Sequence, residues 1–290
     1  MVLAIDIGGT KMAAAIVDGS GAVGEHATVP TPVSDDPEAV FAALAAAVAV
    51  VRDGVRPTLC GVGCGGPMSA GGETVSPLNI PAWREFPLRR RVEELVGLPV
   101  AVDNDAKALA LGEGWLGAAR GVPDYLGMVV STGVGGGIVL DGRLLDGAGG
   151  NAGHIGHVVV EPDGRRCACG GRGCLEAEAS GMSIEAMTGR PAAEADEDVR
   201  RRTGTMVGRA VASVANLLDL QLAVVAGSVA LGFGESFFAA AQDEIDQRAR
   251  LDFARSTRIV PAGLGGAGPL VGAAAVARRA FAHPAPGRVP

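Results

Sequence analysis

Short apolar runs alternate with longer apolar or amphipathic segments along the chain. A short run bounded by Gly, Asp or Pro is typical of a buried strand, whereas a longer run with helical spacing is typical of a helix. The pattern predicts strands at Val2–Ile7, Met12–Val17, Leu59–Gly63, Pro99–Asp103, Leu126–Val130, Ile138–Leu140, His157–Val160, Leu222–Ala226 and Arg258–Val260. It predicts helices at Pro37–Val51, Pro87–Val96, Ala106–Leu116, Val199–Leu218, Ser236–Ala249 and Gly268–Phe281. Strands that alternate with helices favour an α/β fold with a sheet covered on both faces.

One unit of strand, glycine loop and strand occurs twice. In the first copy, strand Val2–Ile7 leads into the loop Gly8-Gly9-Thr10-Lys11 and a second apolar run. In the second copy, strand Leu126–Val130 leads into the glycine-rich residues 131–137 and a further apolar run. Both copies close with an Asp-Gly pair, a strong hairpin signal, and the two pairs are 123 positions apart. The repeat suggests two halves of similar construction.

The glycine loops are candidate phosphate-binding elements. Backbone N–H groups of such a loop can approach a polyphosphate because no Cβ intervenes. Thr10 and Thr132 add hydroxyl donors, and Lys11 adds a positive charge. Neither loop has the P-loop spacing, and each taken alone is also compatible with a tight hairpin. The two loops together with the Asp6 carboxylate favour a nucleotide site. A third glycine-rich segment, Gly61–Gly66, has the G-x-G-x-x-G spacing of a dinucleotide site but lacks the following helix that such a site requires.

A polar segment, Asp103-Asn104-Asp105, follows a short apolar strand and precedes a helical pattern. Ligands of open α/β folds bind at such strand ends. A carboxylate there can accept a hydroxyl proton as a general base while Asn104 anchors a substrate. Helix capping is the alternative, since Asp and Asn are favoured N-caps, and the spacing alone leaves both interpretations open.

A cluster of cysteines and histidines is the most specific feature of the chain. Cys167, Cys169 and Cys174 fall within eight residues, and His154 and His157 lie just upstream. Three thiolates and one imidazole make a closed tetrahedral zinc site with a structural role. A redox pair is disfavoured because the spacing is Cys-x-Cys, and plain buried thiols are the other alternative. The two remaining cysteines, at positions 60 and 64, have no nearby histidine, and we expect them in the core.

The net charge and the N-terminal sequence argue against nucleic-acid-binding, secreted and membrane proteins. A net charge of −7 argues against a broad nucleic-acid surface, which needs a dense basic face. The N-terminal residues show no signal-peptide pattern, and no apolar run is long enough for a membrane span. We therefore expect a cytoplasmic protein that binds neither nucleic acid nor membrane, with its cysteines reduced or bound to metal.

Taken together, these motifs resemble the sugar kinases of the ROK family. Residues 6–11 resemble the first phosphate motif of that family, and residues 131–137 resemble its second. Residues 103–106 resemble its catalytic segment. Residues 153–157 and 167–176 together resemble its zinc and sugar signature. The resemblance runs from residue 4 to about residue 277. It implies an actin-like α/β fold, a duplicated RNase H-like fold of two lobes with the active site in the cleft. We place the lobes at residues 1–118 and 119–290, with the last helix packed on the N-terminal lobe.

The resemblance also implies roles for individual residues. Asp105 would be the general base that takes the proton of the sugar 6-hydroxyl. The sugar would be lined by Gly66, Asn79, Asn104, His154, His157 and Glu176. ATP, with Mg²⁺ bridging its phosphates, would contact Asp6, Gly8, Gly9, Thr10, Lys11, Thr132, Gly133, Gly135 and Gly227. Structural zinc would be bound by His157, Cys167, Cys169 and Cys174, and would fix the loop that presents Glu176. A homodimer is the usual assembly of the family.

One departure from the family pattern concerns sugar specificity. Glucokinases of the family usually carry Glu-x-Gly-His where this chain has His154-Ile155-Gly156-His157. A Glu accepts two hydroxyl protons, whereas a neutral histidine offers one acceptor and one donor. The form found here, with its lead-in at residues 144–147, is similar to bacterial N-acetylmannosamine kinases. We therefore predict an ATP-dependent 6-kinase of a hexose or N-acetylhexosamine, N-acetylmannosamine first. The alternatives are a glucokinase in which His154 is a neutral variant and a non-catalytic sugar-binding regulator.

Overall fold

The structure, a computed structural model, describes residues 1–52, 54 and 56–282. The chain divides into two compact units, each with one five-stranded sheet. Unit 1 comprises Met1–Leu116, Asp146–Ala152 and the chain from Gly266 onward, and unit 2 comprises Gly117–Leu145 and Gly153–Gly265. The predicted α/β class is confirmed.

The helices have the following bounds. Helices α1, α2, α3 and α9 of unit 1 comprise Pro37–Val51, Leu88–Val96, Asp105–Leu116 and Gly268–Ala282. Helices α4 to α8 of unit 2 comprise Leu175–Ala179, Gly181–Thr188, Glu197–Leu218, Ser228–Phe233 and Glu235–Arg248. Within the described part of the chain, no helix combines the length and apolar character needed to cross a membrane.

The sheet of unit 1 brings three parallel strands to a common edge. Strands β1 to β5 comprise Val2–Ile7, Lys11–Val17, Val23–Pro30, Leu59–Cys64 and Val100–Asn104. Their spatial order is β3-β2-β1-β4-β5. Strand β2 is antiparallel to β1 and β3, whereas β4 is parallel to β1 and to β5. The carboxyl ends of β1, β4 and β5 therefore meet at one edge, where open α/β sheets bind ligands.

Both faces of this sheet are covered, which explains why β1 is almost entirely apolar. Leu3, Ile5 and Ile7 are fully buried in a core that includes the apolar face of α1. On the opposite face, Ala4 packs in a second core with small residues of α9. A Cβ at Gly61 would lie 1.9 Å from the Ala273 carbonyl oxygen, so α9 reaches the sheet only over a glycine. Close packing of this kind accounts for a core with few aromatic residues.

Unit 2 repeats the sheet of unit 1. Strands β6 to β10 comprise Tyr125–Val130, Val134–Leu140, Arg143–Leu144, Leu222–Ala226 and Arg258–Pro261. Their order, read as β8-β7-β6-β9-β10, has the same parallel and antiparallel pairings as unit 1. Strands β6 and β7 begin and end 123 positions after β1 and β2. The repeat predicted from the glycine loops is therefore confirmed in the sheet topology.

The hairpin signals are also confirmed. Asp141 and Gly142 connect β7 to β8 with φ angles of 51° and 68°, the left-handed values that a two-residue type I′ turn requires. Residues 18–22 connect β2 to β3, with the Asp18 carboxylate accepting the N–H groups of Ser20 and Ala22.

Most predicted elements are present, but one strand is wrong and several elements were missed. The predicted strand His157–Val160 is instead a 3₁₀ turn at Ile155–His157 followed by a single bridge between Val159 and Cys174. Strand β3 was missed because its apolar residues do not form a continuous run and none of its residues is fully buried. The short helices α4, α5 and α7 lie close to glycines and turns, which hid their periodicity.

Candidate active site and metal centre

The segment that contains Asp105 lies at the common strand edge of unit 1. Strand β5 ends at Asn104, and α3 begins at Asp105. The register places Asp6 of β1 opposite Gly63 of β4, and Gly63 opposite Asp103 of β5. A Cβ at Gly63 would lie 3.7 Å from both Asp6 Oδ1 and Asp105 Cα. The glycine therefore leaves two carboxylate residues flanking one small space.

Hydrogen bonds separate the roles of the neighbouring polar residues. Asn104 Oδ1 accepts the N–H groups of Ala106 at 3.1 Å and of Lys107 at 3.4 Å. Asp105 Oδ1 accepts the same Ala106 N–H at 2.8 Å. Asn104 thus supplies the helix cap, so capping does not by itself require a carboxylate at position 105.

Two cationic side chains, Lys107 and Arg279, bind Asp103 of this segment. Lys107 is only 2% exposed, and its ammonium group donates to Asp103 at 3.0 Å, to Asp146 at 3.1 Å and to the Gly150 carbonyl at 3.0 Å. Arg279 donates to Asp146 at 2.6 Å and to Asp103 at 3.4 Å. Burial raises the pKa of Asp103, although Lys107 acts in the opposite direction. Sequence reasoning missed this network, which ties α3, α9 and residues 146–152 together within unit 1.

The first glycine loop is held by a threonine that the sequence did not single out. The Gly8 N–H donates to the Lys11 carbonyl at 3.0 Å and closes the turn. Thr31, which is 8% exposed, donates its hydroxyl to the Gly8 carbonyl at 2.7 Å. The Thr31 N–H donates to the Thr10 carbonyl at 3.0 Å. The first glycine loop is therefore fixed by a residue from outside the motif.

Two further predicted residues lie beside this loop. A Cβ at Gly9 would lie 2.4 Å from the Asn79 Cβ, so the loop and Asn79 are in direct contact. The Gly66 carbonyl accepts the Leu78 N–H at 3.3 Å, which joins the segment of Gly66 to that of Asn79. The predicted site residues of unit 1 are thus collected around the ends of β1, β4 and β5.

Asp6 has an unusual electrostatic environment. Burial, and next the charge of Asp105, raise the pKa of Asp6 from 3.8 to about 7, although Lys11 acts in the opposite direction. Because this pKa is higher in the folded than in the unfolded chain, the stability contributed by Asp6 is present below about pH 4 and lost as the pH rises to about 7.

Asp6→Asn should therefore stabilise the ligand-free protein at neutral pH. We expect the free energy of unfolding at about pH 8 to rise by about 1 to 3 kcal/mol, with little change near pH 4. Urea unfolding at a series of pH values measures both effects. Asp243→Asn, an exposed carboxylate on α8, serves as the control. If the free energy of unfolding of Asp6→Asn depended on pH as that of the wild type does, the pKa of Asp6 would not be raised by folding.

The second glycine loop lies at the equivalent end of β6 in unit 2. The Ser131 N–H donates to the Gly133 carbonyl at 2.9 Å, and Gly135 pairs with Val129 in the sheet. Gly227 has φ 103°, and a Cβ there would lie 2.2 Å from the Val130 carbonyl oxygen, so only glycine fits. The predicted nucleotide-binding residues of unit 2, Thr132, Gly133, Gly135 and Gly227, are thus grouped at this strand end.

The turn that carries His157 and the helix that carries Glu176 both contact this loop. A Cβ at Gly156 would lie 2.3 Å from the Val134 carbonyl oxygen, so the turn packs closely on the start of β7. Glu176 Oε2 accepts the Val134 N–H at 3.0 Å. His154 is exposed, and its ring centroid lies 6.1 Å from that of His157. The predicted sugar-binding residues of unit 2 are therefore neighbours of its glycine loop.

The four predicted metal ligands converge. The ligand atoms of His157, Cys167, Cys169 and Cys174 lie within 4.8 Å of one another. The sulfur atoms of Cys169 and Cys174 are 3.8 Å apart, and Cys167 Sγ is 3.8 Å from His157 Nδ1. Tetrahedral zinc with Zn–S bonds of about 2.3 Å would hold two sulfurs about 3.8 Å apart, so the donor set and its spacing fit one zinc ion.

The remaining cysteines take no part in this cluster. Cys60 and Cys64 are fully buried in the core of unit 1, as the sequence predicted. Burial raises the pKa of Cys60 to about 12 and that of Cys64 well above its ordinary range, so both thiols are protonated and unreactive.

Comparisons with known proteins agree with this construction. The ROK family profile matches residues 2–280. Over 250 residues the chain is 38% identical to the N-acetylmannosamine kinase of Escherichia fergusonii, covering 80% of this chain and 84% of that protein. The fold matches a ROK family glucokinase from Streptomyces griseus, solved with glucose and AMPPNP, with a TM-score of 0.84, 33% identity and coverage of 96% and 99%. A ROK hexokinase from Thermus thermophilus matches with a TM-score of 0.83, 35% identity and coverage of 96% and 98%. The chain therefore belongs to the ROK family.

Proposed function

We propose that this protein is an ATP-dependent sugar kinase that phosphorylates the 6-hydroxyl of a hexose or N-acetylhexosamine, with N-acetylmannosamine as the preferred substrate. The observation that carries the proposal is the pairing of Asp105 with Asp6 at one strand edge, beside a glycine loop in direct contact with Asn79. The relatives support the proposal, because they are named as an N-acetylmannosamine kinase, a glucokinase and a hexokinase, and all three names denote sugar kinases.

The proposed chemistry is a single phosphoryl transfer. The sugar O6 attacks the γ-phosphorus of ATP, the bond from that phosphorus to the β–γ bridging oxygen breaks, and ADP leaves with the bond electrons. Asp105 accepts the O6 proton, and such a base contributes roughly 10²- to 10⁴-fold to the rate. Asn104 Oδ1 accepts the N–H groups at the start of α3, and the side-chain NH₂ of Asn104 would donate to the sugar.

Magnesium enters as part of the Mg–ATP substrate. It would neutralise the phosphate charge during transfer. The carboxylates of Asp6 and Asp105 repel one another, which helps to raise the pKa of Asp6, and a cation between substrate and protein relieves that repulsion. This edge of unit 1 therefore fits the Mg²⁺ ion of the Mg–ATP substrate. Each glycine loop, at Gly8–Thr10 in unit 1 and at Thr132–Gly133 in unit 2, presents backbone N–H groups of the kind that bind phosphate.

Zinc is proposed as the structural ion of the cysteine cluster. When bound, it would hold His157 in one rotamer and fix the hairpin of residues 160–174. The four protein ligands leave no position for water or substrate, so the ion takes no part in the transfer.

The identity of the sugar rests on His154 and on the relatives. His154 immediately precedes the turn that carries His157, and it is exposed. N-acetylmannosamine is favoured because the kinase from Escherichia fergusonii bears that name at 38% identity. The alternative within the class is a glucokinase, favoured by the fold match to the Streptomyces griseus enzyme.

ADP release with Mg–ATP across glucose, mannose, N-acetylglucosamine and N-acetylmannosamine tests the proposal. We expect turnover above the sugar-free background with the highest kcat/KM for N-acetylmannosamine. Turnover led by glucose would make the protein a glucokinase with a tolerated substitution at position 154. Sugar binding without turnover on any substrate would support the non-catalytic regulator instead.

His154→Glu should move the preference toward glucose. The carboxylate supplies a second acceptor for sugar hydroxyls, and one such hydrogen bond corresponds to about 10-fold in relative kcat/KM. The readout is the glucose to N-acetylmannosamine ratio of kcat/KM. His26→Glu makes the same exchange at an exposed position on β3 and should leave the ratio unchanged. An unaltered ratio in His154→Glu would mean that position 154 does not read the sugar.

A further inference from the structure

Helix α4 carries two carboxylates that face different partners. The helix spans only Leu175–Ala179, and both Glu176 and Glu178 belong to it. Glu176 Oε2 accepts the Val134 N–H at 3.0 Å, at the point where the second glycine loop enters β7. A Cβ at Gly133 would lie 2.9 Å from the same oxygen. The Glu176 carboxylate thus occupies the space that a side chain at position 133 would need.

The start of the next helix holds the same loop. The Gly181 N–H donates to the Ser131 carbonyl at 2.7 Å, and the Met182 N–H lies 3.4 Å from the Thr132 carbonyl. Together with the Glu176 contact, backbone groups of three residues of the loop Ser131–Val134 are bound to one segment of chain. The backbone of this loop is therefore set by residues 176–182 as well as by its own glycines.

The second carboxylate of α4 contacts the hairpin of residues 160–174, which carries the three cysteines of the cluster and is called the metal hairpin below. Glu178 is 1% exposed and accepts the Arg165 N–H at 2.6 Å and the Arg202 guanidinium at 2.5 Å. A Cβ at Gly164 would lie 2.4 Å from Glu178 Oε1, so the hairpin backbone packs directly on this carboxylate. Helix α4 is accordingly anchored on one side to the hairpin of the cysteine cluster and on the other to the glycine loop.

We propose that Glu176 is a positioning residue for the nucleotide site, in addition to any contact with the sugar. By accepting the Val134 N–H, it holds the loop Ser131–Val134 in the conformation that binds phosphate. Helix α4 then links the metal hairpin and the sugar-binding carboxylate to nucleotide affinity. The inference rests on the proposed function for the identity of the ligand, since the nucleotide is the phosphate donor.

The test is the affinity for AMPPNP with Mg²⁺, measured by calorimetry in the absence of sugar. Glu176→Ala removes the acceptor and should weaken AMPPNP binding by about 3- to 10-fold. Glu176→Gln keeps one acceptor oxygen for the Val134 N–H and should bind AMPPNP within about 2-fold of the wild type, while the KM for sugar rises. This division between nucleotide and sugar is not expected of a residue that only stabilises the fold.

A double-mutant cycle separates positioning from direct crowding of the nucleotide. Gly133→Ala pushes against the flexible end of Glu176 and should weaken AMPPNP binding as Glu176→Ala does. In the Glu176→Ala background the same change should have little further effect, because the opposing oxygen is gone. Gly232→Ala, where a Cβ meets nothing within 4 Å, is the matched control on α7.

Unchanged AMPPNP affinity in both Glu176→Ala and Gly133→Ala would overturn the inference, as would fully additive effects in the double variant. If Glu176→Ala does not fold, Gly133→Ala and Glu176→Gln decide the question. Wild-type protein that binds AMPPNP but phosphorylates no sugar would refute the proposed kinase and leave the loop result standing. Wild-type protein that binds no AMPPNP would refute the positioning role itself.

Discussion

Asp105→Asn is expected to reduce kcat by roughly 10²- to 10⁴-fold while sugar and nucleotide still bind. The amide cannot accept the proton of the sugar hydroxyl. Its oxygen can still accept the Ala106 N–H, which the carboxylate accepts at 2.8 Å, so the start of α3 should be preserved. Single-turnover ADP formation and sugar binding by calorimetry measure the two effects separately.

The same substitution has a second readout in Asp6. The charge of Asp105 raises the pKa of Asp6, so its removal should lower that pKa toward the ordinary value. Asp198→Asn, an exposed carboxylate in the first turn of α6, is the control and should affect neither measurement. Full turnover in Asp105→Asn would place the general base elsewhere.

Cys169→Ser is expected to reduce zinc content and stability together. Metal binding is coupled to folding, and loss of one ligand in four should remove on the order of a quarter of the roughly 10 to 16 kcal/mol that structural zinc contributes. Cys169 is exposed, so the exchange of sulfur for oxygen leaves no cavity in the core. Elemental analysis and thermal unfolding of the purified protein measure the two changes.

A buried cysteine provides the control for this variant. Cys60→Ser places a hydroxyl in the core of unit 1 and should lower stability with no change in zinc content. Unaltered zinc stoichiometry in Cys169→Ser by native mass spectrometry would refute the four-ligand assignment. A stable, zinc-free wild-type protein would do the same.

Features encoded over short stretches of chain could be predicted from the sequence. Strand β1 has the predicted bounds, because an apolar run closed by two glycines has few alternatives. The Cys and His cluster was recognised because its four members fall between residues 157 and 174. The duplicated sheet was foreseen for a similar reason, since each copy repeats a local order of strand, glycine loop and strand.

Local preference failed where tertiary contacts overrode it. The run Val158-Val159-Val160 has high β propensity, yet the segment forms a turn and a single bridge. Gly156 packs on the Val134 carbonyl, where a Cβ would lie 2.3 Å from the oxygen, and this close contact accompanies the turn at Ile155–His157. The pattern of apolar and polar residues does not predict this contact.

The sequence by itself therefore determined the family, the repeated sheet and the cluster of cysteines and histidine, because each depends on residues that are close along the chain. Only the tertiary structure decided which partners the carboxylates contact. The Arg279–Asp146 ion pair joins residues 133 positions apart, and the Glu176 bond to Val134 joins residues 42 positions apart. Hydrophobic periodicity specifies which face of an element is buried, but it does not specify which polar side chain meets which backbone group, because that depends on how the packed elements bring distant residues together.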